Sequence, residues 1–104
     1  MDLITDETFE EKVINAEKPV IVDFYTDMCQ PCKLMAPILD KLNEDLDTVD
    51  VFKFDAYEGK VPDTYQIVSV PTLILFRDGK ELARREGSAP GSILKLWIEL
   101  SLDS

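Results

Sequence analysis

The apolar and polar positions of this chain alternate between strand-like and helix-like segments. Short apolar runs predict strands over residues 3–4, 20–25, 49–54 and 72–76, and a hairpin turn after the last of these predicts a fifth strand over 81–85. Apolar residues spaced three and four apart predict helices over 8–16, over 32–46 and after residue 87, and Pro62 is suited to open a short helix through residue 65. The element order β-α-β-α-β-α-β-β-α predicts an α/β fold with one mixed sheet and helices on both faces.

Local signals refine three of these elements. Thr8 and Glu11 have the spacing of a capping box, which predicts that the first helix begins there. The stretch 20–25 is apolar on both faces except for Asp23, as expected of a central strand covered by helices. Asp78 and Gly79 predict a tight hairpin turn between the last two strands.

Composition excludes several classes of function. The 104 residues include 21 acidic and 11 basic side chains and no histidine, for a net charge of −10. This charge argues against nucleic acid or an anionic membrane as partner, and the lack of histidine excludes Ser–His–Asp and Cys–His catalysis. No secretory leader is visible, and no apolar run approaches the ~20 residues of a membrane span. We therefore expect one cytoplasmic domain, residues 1–104, acting as a monomer.

Cys29 and Cys32 lie between the predicted central strand and the longest predicted helix. Such a pair can form half of a zinc site, but structural zinc needs four ligands, so a second chain or carboxylates would have to complete it. Two inert buried cysteines are also disfavoured, because the strand–helix junction puts Cys29 at an exposed loop end. A redox-active dithiol is the favoured interpretation.

The position of the pair predicts a different role for each cysteine. A helix N-terminus carries unpaired N–H groups and about half a unit of positive charge, which should lower the pKa of Cys29 and make it the nucleophile. Cys32, one turn into the helix, should be more buried and act as the resolving thiol. Pro31 restricts the backbone between them. The predicted reaction is thiol–disulfide exchange through a mixed disulfide on Cys29.

At these residues the chain resembles the thioredoxin family, and the resemblance covers nearly its whole length. It rests on the segments Val22-Asp23-Phe24, Cys29-Gln30-Pro31-Cys32-Lys33, Ala36-Pro37, Val70-Pro71-Thr72 and Gly87. It implies the thioredoxin fold with sheet order 1-3-2-4-5, and activity as a protein-disulfide reductase and dithiol electron donor. It also implies disulfide-containing protein substrates, no bound cofactor, and reducing equivalents from a thioredoxin reductase that NADPH or ferredoxin supplies.

The resemblance assigns a role to Asp23. The matching aspartate of the family is buried near the resolving cysteine and relays its proton. An acid in an apolar strand agrees with this, because desolvation raises the pKa of a carboxyl group. Lys53 matches the lysine expected nearby and would modulate Asp23. Taken alone, either residue would be interpreted as an ordinary exposed strand position.

The resemblance also predicts a substrate-binding loop. The Val70–Pro71 peptide bond would be cis, the Val70 backbone would pair with a substrate strand, and Gly87 would leave room for that substrate. The local interpretation is simpler: Pro71 opens one strand and Gly87 ends another.

Three residues near the cysteines depart from the family pattern. Gln30 replaces the usual glycine and could shift the redox potential, while Met28 replaces the usual tryptophan with a flexible thioether. Tyr25 stands where another tryptophan is common. These changes keep two alternatives open: a reductant dedicated to one partner or one unusual reductase, and a thioredoxin-fold binding or chaperone module whose dithiol is incidental.

Overall fold

Residues 1–103, which are the residues that the computed structural model describes, form five strands and four helices. Ser104, the last residue of the predicted domain, lies outside them. The strands are β1 Asp2–Leu3, β2 Val20–Tyr25, β3 Asp50–Asp55, β4 Thr72–Arg77 and β5 Lys80–Glu86. The helices are α1 Asp6–Phe9, which continues as a π-helical turn over Glu10–Ile14, α2 Gln30–Asp45, α3 Val61–Thr64 and α4 Gly91–Leu102. Each predicted element is present, although β1 and β3 are shifted by one residue and α2 begins at Gln30.

The start of α1 corrects the prediction from Thr8 and Glu11. The helix begins at Asp6, with Thr5 as its N-cap, and the backbone N–H of Thr5 donates to Thr8 Oγ1 at 3.0 Å. The Asp6 carboxylate accepts hydrogen bonds of 2.7 and 3.1 Å from backbone N–H groups at the start of α3. The start of α1 is therefore held locally by Thr5 and Thr8, three residues before the predicted N-cap, while the Asp6 side chain caps the N-terminus of α3.

The strands form one sheet in the order β1-β3-β2-β4-β5, which confirms the predicted order. β3 runs parallel to β1 and β2, whereas β4 is antiparallel to both β2 and β5. In the register between β2 and β3, Asp23 lies opposite Lys53. β2 is buried along its whole length except at the partly exposed Tyr25, as its apolar sequence predicted.

Helices cover both faces of this sheet, and each face has its own apolar core. The core under α2 and α4 includes Ile21, Met35, Leu39, Leu73, Leu94 and Ile98. The core under α1 and α3 includes Phe9, Val22, Phe24, Phe54 and Phe76. Because successive side chains of a strand point to opposite faces, Asp23 shares the α2 side with Ile21. The fold thus directs the one acid of the central strand toward the helix that begins after Cys29.

Candidate active site

Cys29 and Cys32 lie where the loop after β2 enters α2. Cys29 is the N-cap and is half-buried, whereas Cys32 is in the first turn and is 3% exposed. The two form a disulfide with their Cα atoms 5.2 Å apart. The backbone N–H of Cys32 donates a hydrogen bond to Cys29 Sγ at 3.1 Å. The more exposed cysteine is therefore also the one whose sulfur the helix terminus faces.

The first turn of α2 favours negative charge on that sulfur. It contains no acidic residue, and the positive end of the helix dipole stabilises an anion placed at the N-cap. Pro31 lies in this first turn, where its missing N–H costs no intrahelical hydrogen bond. The neighbours of the pair, Met28 and Gln30, are both exposed, and Met28 is 92% exposed.

Asp23 lies behind the disulfide, buried on the sheet. It is 2% exposed, and within residues 1–103 its Oδ1 atom is buried without a hydrogen-bond partner. Burial raises the pKa of this carboxyl group from 3.8 to about 7, against the opposing effect of the Lys53 charge. Asp23, Cys32 and Lys53 line the same cavity of about 170 Å³, which we call the relay cavity. The structure thus brings together the three residues that the sequence associated with proton transfer.

The contact between Tyr25 and Lys53 was missed by the sequence analysis. The Lys53 ammonium lies over the Tyr25 ring, 5.6 Å from its centroid, and both residues line the relay cavity. Burial raises the pKa of the Tyr25 phenol, and the charges of the nearby carboxylates add to the effect. The sequence carried one signal for this contact: Asp23 and Tyr25 are two residues apart, so both side chains point to the same face of β2.

Pro71 and Gly87 meet at one edge of the sheet. The Val70–Pro71 peptide bond is cis, Pro71 is buried, and its carbonyl oxygen accepts a hydrogen bond from the Gly87 N–H at 2.9 Å. Gly87 has a φ of +85°, which favours glycine. Apart from the two neighbouring residues in the chain, a Cβ atom at this position would meet no atom of residues 1–103 within 4 Å, so the space beside it is open.

A shallow groove of about 140 Å³ connects this edge with the loop before the cysteines. We call it the loop groove, and it is lined by Thr26, Ala56, Tyr57, Ile67, Val68, Ser69 and Val70. The Thr26 carbonyl accepts a hydrogen bond from the Cys29 N–H at 3.4 Å, so the groove adjoins the disulfide. Tyr57 and Val68 are 87% and 84% exposed. Sequence reasoning missed both, because apolar residues in loops carry no periodic signal.

The described chain has neither a metal-binding cluster nor a membrane-spanning helix. Over residues 1–103, no three acidic or cysteine side chains are grouped so that they could hold a metal ion. No helix in the same stretch is long and apolar enough to cross a membrane.

A helix terminus can hold an accessible sulfur as a thiolate. When a second sulfur lies within bonding distance, such a site is suited to exchanging disulfides. Fold and site together define a protein-disulfide oxidoreductase. The model of the thioredoxin family matches residues 1–99. The chain belongs to the thioredoxin family, which confirms the resemblance.

Individual relatives lie in bacteria and in plants. The chain is 44% identical over 100 residues to "Thioredoxin Y2, chloroplastic" of Arabidopsis thaliana, covering 94% of this chain and 60% of that protein. It is 36% identical over 97 residues to a thioredoxin of Rickettsia bellii, covering 91% of this chain and 92% of the relative. It is 40% identical over 102 residues to thioredoxin C-2 of Corynebacterium nephridii, covering 94% and 93%. The chain thus spans about three-fifths of the chloroplast relative and over nine-tenths of these bacterial ones.

Proposed function

We propose that this chain reduces disulfide bonds of client proteins, with Cys29 as the attacking residue and Cys32 as the resolving residue. The observation that carries this assignment is the position of Cys29 as the N-cap of α2. Its sulfur accepts a hydrogen bond from a backbone N–H, and Cys29 is more exposed than Cys32. A thiolate is the nucleophile in exchange, and a helix N-terminus stabilises it.

The reaction begins from the dithiol form. The Cys29 thiolate attacks one sulfur of the client disulfide, a mixed disulfide forms, and the other client sulfur leaves as a thiolate. Cys32 then loses its proton and attacks the Cys29 sulfur, which releases the second client thiolate and forms the Cys29–Cys32 disulfide. The client gains two electrons and two protons, and the dithiol loses the same.

Asp23 accepts the proton of Cys32 in the second step. Three observations support this role: both residues line the relay cavity, Asp23 Oδ1 has no hydrogen-bond partner within residues 1–103, and burial raises its pKa to about 7. A base whose pKa lies near the working pH is both available and strong enough. Asp23→Asn should slow the release of the mixed disulfide and remove a pH dependence near 7, and an unchanged pH–rate profile would refute the role.

Clients dock on the loop groove and its surroundings. Backbone groups of Val70 pair with an extended client segment, and the open space at Gly87 accommodates it. The exposed apolar side chains of Met28, Tyr57 and Val68 supply the contact area around the disulfide. Such a surface tolerates many client sequences, because backbone pairing and a flexible thioether specify little.

The oxidised protein is returned to the dithiol by a thioredoxin reductase, and the chain itself binds no cofactor. We place this cycle in the cytoplasm of the source cell, with the protein as a monomer. The net charge of −10 supports a partner list of proteins rather than nucleic acids or membranes. Incubating the disulfide form with an NADPH-linked or a ferredoxin-linked reductase, and counting free thiols, decides which donor feeds the cycle.

The direct test is reduction of insulin disulfides, with dithiothreitol regenerating the dithiol. We expect catalysis by the wild type and none by Cys29→Ser. In a separate incubation with insulin but without dithiothreitol, Cys32→Ser should accumulate the mixed disulfide, which gel electrophoresis without reductant detects, and Cys29→Ser/Cys32→Ser is its matched control. An inactive wild type or a fully active Cys29→Ser would overturn the assignment.

The same trap distinguishes a general from a dedicated reductant. Many clients bound covalently to Cys32→Ser would support the general role, and a single client would support the dedicated one. For the binding or chaperone alternative, rescue of the cellular role by the double cysteine variant is the decisive result, because that variant cannot exchange disulfides.

A further inference from the structure

We propose that Tyr25 is a positioning residue that holds the Lys53 ammonium away from Asp23, so that the two charges interact across the relay cavity without forming a salt bridge. This inference rests on the proposed role of Asp23 as proton acceptor. It assigns to the aromatic ring of Tyr25 a function that is distinct from filling space beside the disulfide.

The register of the sheet makes the contact possible. Lys53 lies opposite Asp23 across β2 and β3, and Tyr25 follows Asp23 by two residues on the same face. Lys53 therefore has two alternatives within reach: the carboxylate directly across and the ring on the diagonal. The ammonium lies over the ring, 5.6 Å from its centroid. None of the salt bridges formed within residues 1–103 involves Lys53, and Asp23 Oδ1 is buried without a partner.

The physical consequence concerns the basicity of Asp23. A cation is attracted to the face of an aromatic ring by the ring quadrupole, so the ring competes with the carboxylate for Lys53. A cation in direct contact would lower the pKa of a carboxyl group by about 1–3 pH units. With the ammonium on the ring, burial remains the larger influence, and the pKa of Asp23 stays at about 7. The Tyr25 ring thus keeps Asp23 able to take up a proton at neutral pH.

Other charged and titratable groups also face this region, and the comparison has to hold them constant. They are Asp27 in the loop after β2, Asp55 on β3, Cys32 and Lys33 on α2, and Met1, whose ammonium binds Asp40 at 2.6 Å. All of them remain in every variant below. The disulfide form keeps Cys32 from titrating, so differences between variants report on Lys53 and Asp23.

The experiment measures the pKa of Asp23 from its side-chain carboxyl 13C chemical shift in the disulfide form, and needs no activity. Tyr25→Leu frees the ammonium to approach the carboxylate, so the pKa of Asp23 should fall by about one pH unit or more. Tyr25→Phe retains the ring face, so the pKa should stay at the wild-type value. Lys53→Met removes the cation, so the pKa should rise, and adding Tyr25→Leu to Lys53→Met should change nothing further.

The directions of these changes in the pKa of Asp23 distinguish a positioning role of Tyr25 from a packing role. Loss of packing at Tyr25 would let water reach Asp23 and lower its pKa with or without Lys53, so a fall that persists in the double variant overturns the proposal. A pKa of Asp23 in Tyr25→Leu that equals the wild-type pKa also overturns the proposal. The wild type provides a check that needs no variant: the Lys53 Hε protons should show an upfield ring-current shift, and its absence would refute the contact. If insulin reduction proved independent of Asp23 while these shifts held, the proposed proton relay would fail and the positioning would stand.

Discussion

Replacing Asp23 by asparagine should stabilise the folded disulfide form at neutral and alkaline pH and have little effect in acid. In the folded protein burial raises the pKa of this carboxyl group to about 7, against an ordinary value of 3.8. Below pH 3.8 the group is neutral in both the folded and the unfolded chain. Between 3.8 and 7 the unfolded chain loses the proton while the folded chain keeps it, so the free energy of unfolding falls as pH rises. Above pH 7 both states are ionised and the loss is complete.

The size of the effect follows from the same two values. The pKa difference is about three pH units, and each unit corresponds to about 1.4 kcal/mol, so the ionised carboxylate costs the folded state about 4 kcal/mol. Solvent screens little of this, because Asp23 is 2% exposed. Asparagine has nearly the same shape and does not ionise. The stability gain of Asp23→Asn should therefore grow from about 0.5 kcal/mol at pH 4 to about 4 kcal/mol at pH 8.5.

Urea unfolding of the disulfide form at pH 4, 5.5, 7 and 8.5 measures this difference, since the bonded cysteines do not titrate. Asp27→Asn is the matched control, because it removes one negative charge from an exposed position that also lines the relay cavity. The control should change the free energy of unfolding by less than about 0.5 kcal/mol at every pH. An equal gain for Asp23→Asn at pH 4 and pH 8.5, or the same growth in the control, would show that Asp23 is not the buried ionising group.

Three further predictions concern packing, capping and docking. Phe9→Ala should lower the free energy of unfolding by about 3–5 kcal/mol, because the buried ring packs edge-on against Phe54 and Phe76. If urea unfolding showed a smaller loss of stability for Phe9→Ala than for Phe9→Leu, this would be contradicted. Asp6→Ala should cost about 1–3 kcal/mol and speed amide exchange at the start of α3, whose N–H groups it leaves unpaired; protected amides there would argue against it. Gly87→Ala should cost about 1 kcal/mol for its positive φ and raise the KM for insulin, and an unchanged KM would remove Gly87 from the docking surface.

The order of the elements was predictable from the sequence because their signals are short-range. The stretch 20–25, which is apolar except for Asp23, predicted β2, and the burial of β2 on both faces confirmed the prediction. The start of α1 was predicted wrongly from an equally local signal. The helix begins three residues earlier than predicted, where Thr8 Oγ1 accepts a hydrogen bond from the Thr5 N–H. Thr8 is the first residue of the predicted capping pattern and the last residue of the observed one, so a four-residue signal did not distinguish the two.

The surroundings of the disulfide were also predictable from the sequence only in part. That Cys29 would lie at the N-terminus of a helix was predictable, although α2 begins at Gln30, two residues before the predicted start, which places Cys32 in the first turn. The exposed side chains of Tyr57 and Val68 were not, because they join the loop groove through the folding of separate loops.

By itself, the sequence determined the succession of strands and helices and which of its two sulfurs faces a helix terminus, since both depend on residues a few positions apart. Only the tertiary structure decided how basic Asp23 is and where Lys53 lies. The pKa of Asp23 depends on burial under α2 and on a charge thirty positions along the chain, and the place of that charge depends on the register between β2 and β3. Desolvation and electrostatic attraction act through space, so they become defined only when distant segments have packed together.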